Sequence, residues 1–235
     1  MPGLTDARER QARLVAALRA PERYRRSSEQ PFELIETHIS WVLLAGEYAY
    51  KIKKAVCLGF LDFSELDARR RFCEEELRLN RRTAPMLYLE VVALTGTPSE
   101  PSFGGTGPAM EYAVKMRRFP QEALLDRMAK DGKIDAGLID RLARGVAAFH
   151  ETTSVAGPAS EFGSPSQIAA AALANFAEIE QLIGDIPAVK RLDGLRRWTE
   201  YELIRLAPRF LERKARGRVR ECHGDLHLGN IVLIN

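Results

Sequence analysis

The chain has 235 residues, 46% of them hydrophobic and 29% charged, enough apolar material for one large domain or two lobes with a substantial core. Its 35 basic and 32 acidic residues leave a net charge of +3. They are interleaved, as in RERQAR and RRRFCEEELR, which argues against a nucleic-acid or membrane-surface partner. Three cysteines, Cys57, Cys73 and Cys222, match no zinc-ligand spacing, and their odd number favours reduced thiols in a cytoplasm over a disulfide framework. The N-terminus MPGLTDARERQARLVAAL carries acids and lacks the apolar run of a signal peptide, and no stretch of about eighteen apolar residues occurs.

Leu14, Val15 and Leu18 stand at helical spacing within residues 6–20, and Pro21 stops the pattern. Residues 1–24 are thus read as an N-terminal helix, joined through the polar link RYRRSSEQP to a lobe over 25–119. FELIETHISWVLLAGEYAYKIKKAV is rich in Ile, Val, Trp and Tyr and is broken near His38–Ser40 and at Gly46–Glu47. It predicts an antiparallel meander of strands over 32–37, 40–45 and 48–54. FSELDARRRFCEEELRLNRR predicts a long helix capped by Ser64 and ending near Pro85. Two further strands, LYLEVVALTG and MEYAVKMRRF, flank TGTPSEPSFGGTGP, whose Gly, Pro and Ser predict an exposed loop.

From Gln121 the 3.6-residue period dominates, in ALLDRMAK, AGLIDRLARGVAAFHET and SPSQIAAAALANFAEIEQLI. A long helix from about Pro187 to Arg216, closed by Gly217, is predicted to turn Val189, Leu192, Leu195, Tyr201 and Ile204 inward. Short β-like pieces, VREC and IVLI, bracket HGDLHLGN. The fold class is α+β, with a small sheet and helix followed by a mostly helical half over 120–235, and a cleft between two lobes.

HGDLHLGN concentrates the chemistry. His223, Asp225 and His227 alternate and could share one side of an extended loop as a metal site, but no further ligand cluster completes it. Asp and Asn also cap local turns, a purely structural role. Phosphoryl transfer needs a carboxylate to orient a hydroxyl and an oxygen ligand for Mg²⁺ on one loop. His two before Asp225 and Asn230 five after it match the H-x-D-x-x-x-x-N catalytic loop of protein kinases.

HGDLHLGN resembles the catalytic loop of the aminoglycoside phosphotransferase family, kinase-like enzymes that include choline kinases. LARGVAAFHETT resembles that family's helix ending in Leu-Ala-x-x-His. YAYKIKKAVCLGFLDFSELDARRRFCEEELRLNRRTAP is similar to the N-terminal part of bacterial members, some of which carry a P-loop ATP-binding domain further along. The resemblance covers most of the chain from residue 30. It implies a protein-kinase-like two-lobed fold, ATP and Mg²⁺ as cofactors, and transfer of the γ-phosphate to a hydroxyl of a small molecule.

Under that resemblance the third strand supplies a phosphate-binding lysine, Lys51 with Lys53 as the second candidate. Among Glu74, Glu75 and Glu76, Glu76 is its expected partner, because LRLN follows it. Met116 and Arg117, within Lys115–Phe119, would line the adenine. Ser40, in the turn Thr37–Ser40, would help cover the phosphates, although that turn contains no glycine. Asp225 would orient the acceptor hydroxyl and Asn230 would ligate Mg²⁺. His227 would either approach the transferring phosphoryl or hydrogen-bond within the loop. His223 and His150 are read as structural, and His38 has no assigned role.

Such a fold expects a second Mg²⁺ ligand, an Asp beyond the strand that follows the loop, and no Asp follows Asp225. The chain is therefore expected to be a fragment of a longer phosphotransferase, with little turnover of its own and a P-loop domain fused or missing. The alternative is a catalytically inactive nucleotide-binding regulatory module. Residues 158–216, which would shape the acceptor site, hold no acidic cluster dense enough for a polycationic antibiotic.

Overall fold

The computed structural model describes residues 2–20, 32–58, 61–183 and 189–234. Pro21, the polar link over 23–31 and Pro187 lie outside the described residues. Two compact units result, Met1–Lys133 with Leu226–Asn235, and Ile134–Asp225.

The first unit is built on a six-stranded antiparallel sheet. Its strands are β1 (Glu33–Glu36), β2 (Ser40–Ala45), β3 (Tyr48–Lys53), β6 (Tyr88–Thr97), β7 (Glu100–Phe103) and β8 (Glu111–Arg117), in the order β1-β2-β3-β8-β6-β7. A small hairpin of β4 (Cys57–Leu58) and β5 (Leu61–Asp62) leads into helix α2 (Leu66–Asn80). The three-strand meander forms as its β-branched and aromatic content requires. Because side chains alternate across a strand, register sorts them into two faces. Trp41, Leu43, Tyr50, Ile52, Ala113 and Leu94 share one face. Helix α1 (Pro2–Arg19) lays Leu14, Val15 and Leu18 on it, and Leu18 is fully buried. The N-terminal helix thus belongs to the core of this unit.

The other face carries Ser40, Val42, Leu44, Ala49, Lys51, Lys53, Val114 and Met116, and α2 reaches it through Cys73 and Glu76. Both helices converge on Glu111 at the start of β8, whose carboxylate is 1% exposed. Arg69 of α2 donates Nε–H to both Glu111 oxygens at 3.0 Å and Nη1–H to the Phe63 and Ser64 carbonyls at 2.8 Å. Gln11 of α1 donates to Glu111 Oε2 at 2.6 Å and to the Lys53 carbonyl at 2.9 Å, and accepts from Ala55 N–H at 2.7 Å. Tyr112 N–H completes the set at 3.0 Å. A buried ion pair is costly unless its remaining donors and acceptors are also satisfied, and here both Glu111 oxygens and Arg69 Nε and Nη1 are, with Arg69 Nη2 left over.

Two expectations are corrected. Ser64 does not cap α2. Its N–H is held by Asp62 Oδ1 and its carbonyl by Arg69, so the helix starts one residue later with Glu65 at the N-cap. The stretch 95–108 is not simply an exposed loop: Glu100–Phe103 pairs with β6, Pro101 is buried, and Phe103 stacks on Tyr50 with ring centroids 4.1 Å apart. The turn closing that hairpin needs Gly96, at φ +94°, where a Cβ would meet the Glu100 carbonyl oxygen. Helix α3 (Leu125–Lys130) and residues 231–233 group with the sheet, joined by Leu125 N–H to the Ile231 carbonyl and Leu233 N–H to the Ala123 carbonyl, both 2.9 Å.

The second unit consists of α4 (Ala136–Thr152), α5 (Pro165–Ile183) and α6 (Val189–Ala215). Asp135 Oδ1 caps α4 by accepting from Leu138 N–H at 2.6 Å. Gly217, at φ +66°, ends α6 as the sequence predicts, with Arg218 N–H returning to the Arg213 carbonyl. The expected inward stripe of α6 fails at Leu195, Tyr201 and Ile204, which are 53%, 64% and 77% exposed, whereas Leu192 is half-buried and the Val189 side chain lies outside what is described. Apolar residues surround this helix, so period alone does not select a face. Helix α6 packs on α5, and its half-buried positions include Leu192, Arg196, Leu203, Leu206 and Phe210. Arg196 fastens it by pairing with Glu180 at 3.0 Å and lying over the Phe176 ring.

Removing one partner of the Arg69–Glu111 pair strands a buried charge. Arg69→Met is expected to cost about 3–5 kcal/mol, and adding Glu111→Leu to recover more than half of that loss; urea denaturation of both variants checks it.

Candidate functional site

Arg69, Cys73, Glu76 and Asn80 recur at three- and four-residue spacing, so one side of α2 faces the sheet. Glu76 therefore turns inward, while Glu74 and Glu75 turn to solvent and pair with Arg70 and Arg78 of their own helix at 2.8 and 2.6 Å. On β3, Lys51 and Lys53 stand two apart and share a face. Both reach Glu76: Lys51 Nζ lies 2.8 Å from Oε1 and Lys53 Nζ 2.6 Å from Oε2. The choice between the two lysines is thus not exclusive, because one carboxylate holds both.

Charge accounting makes this cluster unusual. Two ammonium groups meet one carboxylate, with side chains 30%, 8% and 12% exposed for Lys51, Lys53 and Glu76. One positive charge is left over in a largely desolvated place, with Lys51 as the more open group. Lys53 Nζ also sits 5.1 Å from the centre of the Phe63 ring, a cation–π contact. Burial pushes the Glu76 carboxyl up, but Lys51 and Lys53 overcome it and hold the pKa below its ordinary value. Burial likewise depresses Lys51, and Glu76 outweighs it, so the ammonium is held above its ordinary range. Nearby, burial pushes the Cys73 thiol up to about 12, and burial with the Glu76 charge raises Tyr88. Cys73 is therefore an inert thiol here.

Ser40 lies opposite Lys53 on β2 and is 1% exposed, and its Oγ makes no hydrogen bond among the described residues. The turn before it closes on itself: Thr37 N–H and Oγ1–H both donate to the Ser40 carbonyl, and Ser40 N–H donates back to Thr37 Oγ1. That turn replaces the missing glycines with a side-chain clasp. Met116 shares the face of Ala49 and Lys51. Arg117 and Arg118 commit their backbone N–H groups to the Leu87 and Glu47 carbonyls, both at 2.8 Å. A cavity of about 660 Å³ runs beside this segment, lined by Leu34, Ile35, Leu44, Arg117, Phe119 and Gln121 among others.

The motif near the C-terminal end is divided between the two units, and each piece is locally ordered. In the second unit Asp225 N–H donates to His223 Nδ1 at 3.3 Å, the backbone contact expected of His223. The Val155–Arg220 bridge and the Arg220 guanidinium, 2.9 Å from the Glu151 carbonyl, anchor that stretch beside the end of α4. There His150 lends its carbonyl to Thr153 Oγ1. In the first unit Leu228–Asn230 forms a 3-10 turn capped by His227, whose Nδ1 accepts from Gly229 N–H at 3.1 Å. His227 thus makes the loop hydrogen bond, one of its two expected roles. Leu124 bridges Val232, and α3 packs on this turn. Asn230 offers an amide oxygen type suited to Mg²⁺. No group of three or more His, Cys, Asp or Glu side chains able to hold a metal ion occurs among the described residues.

Two features of the site were not read from sequence. Tyr88 beside Glu76 carries no motif. Asp126, at the start of α3, has a buried Oδ1 without a hydrogen bond, and nothing in its spacing distinguishes it.

Comparison with known proteins yields three relatives, an uncharacterized protein of Mycobacterium bovis and uncharacterized proteins of two strains of Mycobacterium tuberculosis. Each is 37% identical over 125 residues, 53% of this chain and 24% of the relative. The matched region thus spans about a quarter of the relatives' length. No family model and no solved structure matches the chain. No helix among the described residues is long and apolar enough to cross a membrane.

The Glu76 pKa lies below 4.5, so its share of stability is present above that value and is lost as pH falls through the lowered pKa. Urea midpoints measured from pH 6 downward are expected to fall steeply for the wild type and less steeply for Glu76→Gln, which has no proton to take up. Equal slopes would show that Glu76 does not carry this dependence.

Proposed function

We propose that this chain is part of an ATP- and Mg²⁺-dependent phosphotransferase of protein-kinase-like fold, related to the aminoglycoside phosphotransferases and acting on a hydroxyl of a small molecule. The observation that carries the reading is the Lys51–Glu76 pair, formed between a third strand and the next helix and followed in the chain by H-x-D-x-x-x-x-N. The surplus positive charge on Lys51 and Lys53 suits a polyphosphate, which would neutralise it. The cavity along Arg117–Phe119 is large enough for an adenine ring, with Leu34, Ile35, Leu44 and Phe119 as its apolar part beside Glu33, Glu47, Arg118 and Glu122. In this reading Lys51 binds the phosphates, Glu76 fixes Lys51, and Lys53 and Ser40 support them from the same face. Asp225 orients the acceptor hydroxyl and takes its proton, and Asn230 is one ligand for Mg²⁺, which would neutralise the phosphate oxygens.

A second reading is a nucleotide-binding module without catalysis. The observation favouring it is the glycine-free turn Thr37–Ser40, whose Ser40 N–H is already spent on Thr37. The two readings part on turnover. Lys51→Met is expected to weaken binding of a fluorescent ATP analogue at least tenfold under either. Under the first, Asp225→Ala leaves that binding within twofold and lowers Mg²⁺-dependent turnover by the full-length protein about a hundredfold or more. Unchanged turnover in Asp225→Ala would sink the phosphotransferase reading, and no binding by the wild type would sink both.

A further inference from the structure

A second cavity, of about 580 Å³, lies against the junction of α1 and α2. Its apolar walls come from Leu4, Ala7, Leu66 and Met110, and its polar lining from the buried trio Gln11, Arg69 and Glu111 together with Ser64, Arg10 and Glu65. Arg10 and Glu65 stand at its rim, both exposed. The trio presents donors to the cavity and few acceptors. Each Glu111 oxygen already accepts two hydrogen bonds, Oε1 from Arg69 and Tyr112 and Oε2 from Arg69 and Gln11. Both Gln11 amide hydrogens are spent on Glu111 and the Lys53 carbonyl. Arg69, 4% exposed, uses Nε and Nη1, whereas its Nη2 makes no hydrogen bond among the described residues and is not enclosed by protein atoms. That nitrogen therefore opens on the cavity that Arg69 lines.

We propose that this cavity is a binding site for a short aliphatic carboxylate, its tail on the apolar walls and its head on Arg69 Nη2. A guanidinium N–H in an apolar setting favours a charged acceptor over a neutral one, and the saturated Glu111 offers no place for an ammonium head. The volume falls in the range of small-molecule sites, about 300–1,000 Å³, and admits a chain of about eight carbons. The bound molecule would touch both helices that meet at Glu111, including the one that carries Glu76. The site stands independently of the phosphotransferase reading, and its test needs no activity.

The test is calorimetric titration of the whole protein with octanoate, with octan-1-ol and octylammonium as probes of the same tail. Octanoate is expected to saturate one site with Kd on the order of 1 mM or below, octanol to bind more weakly, and octylammonium not to bind. Ala7→Phe, which fills the cavity wall, is expected to abolish the octanoate signal. The exposed rim change Arg10→Glu, which leaves the buried trio intact, is expected to weaken it about threefold, the scale of an exposed charge pair. If Ala7→Phe does not fold, Arg10→Glu alone decides. Absence of octanoate binding, equal binding of octylammonium or octanol, or affinity unchanged in the folded variants would overturn the proposal.

Discussion

The first unit depends on one buried carboxylate. Glu111 begins the central strand β8, and Gln11 from one face of the sheet and Arg69 from the other both end on its oxygens. Hydrophobic burial presses α1 onto Leu43, Ile52 and Leu94, but apolar contact is not directional and would tolerate sliding. Hydrogen bonds to a desolvated charge do not tolerate it, because any slip leaves a donor or acceptor unpaired in a medium that cannot solvate it. The trio therefore sets the register of both helices against the sheet.

That register determines where the candidate site falls. Arg69 and Glu76 lie seven residues apart on α2, nearly two turns and on one side. Fixing Arg69 against Glu111 thus fixes the height at which Glu76 meets β3. Gln11 adds a second restraint at the same strand by holding the Lys53 carbonyl, so the backbone between the two lysines and the loop after them is tied to α1. The result is a carboxylate that receives Lys51 and Lys53 together and keeps one positive charge in excess in a sheltered place. Such an arrangement is costly unless an anion completes it, which is the physical reason to expect a phosphate-bearing ligand there.

The strands of the meander were legible because β-branched and aromatic residues alternate between turn signals, and Gly217 was legible because only a residue tolerant of positive φ closes a helix in that way. Glu76 was singled out by the LRLN that follows it, under the family resemblance, and the structure turns its neighbours Glu74 and Glu75 to solvent. The strand Glu100–Phe103 was hidden by its Gly and Pro surroundings, and it exists because Phe103 finds Tyr50 and Phe32 across the sheet. The inward side of α6 was hidden because its apolar residues run nearly all round, leaving the choice to α5.

By itself the sequence determined the order of most elements, because these rest on local period and short spacing, and its resemblance to a kinase-like family put forward Lys51 or Lys53, Glu76 and the residues of HGDLHLGN. Only the tertiary structure decided that Lys53 joins the same carboxylate, that Ser40 is buried rather than open, and that Gln11, Arg69 and Glu111 form the buried joint beside a cavity. Those outcomes depend on residues between 23 and 100 positions apart being desolvated together. The free energy of such a meeting is set by the surroundings each brings to the other, and no local pattern records it.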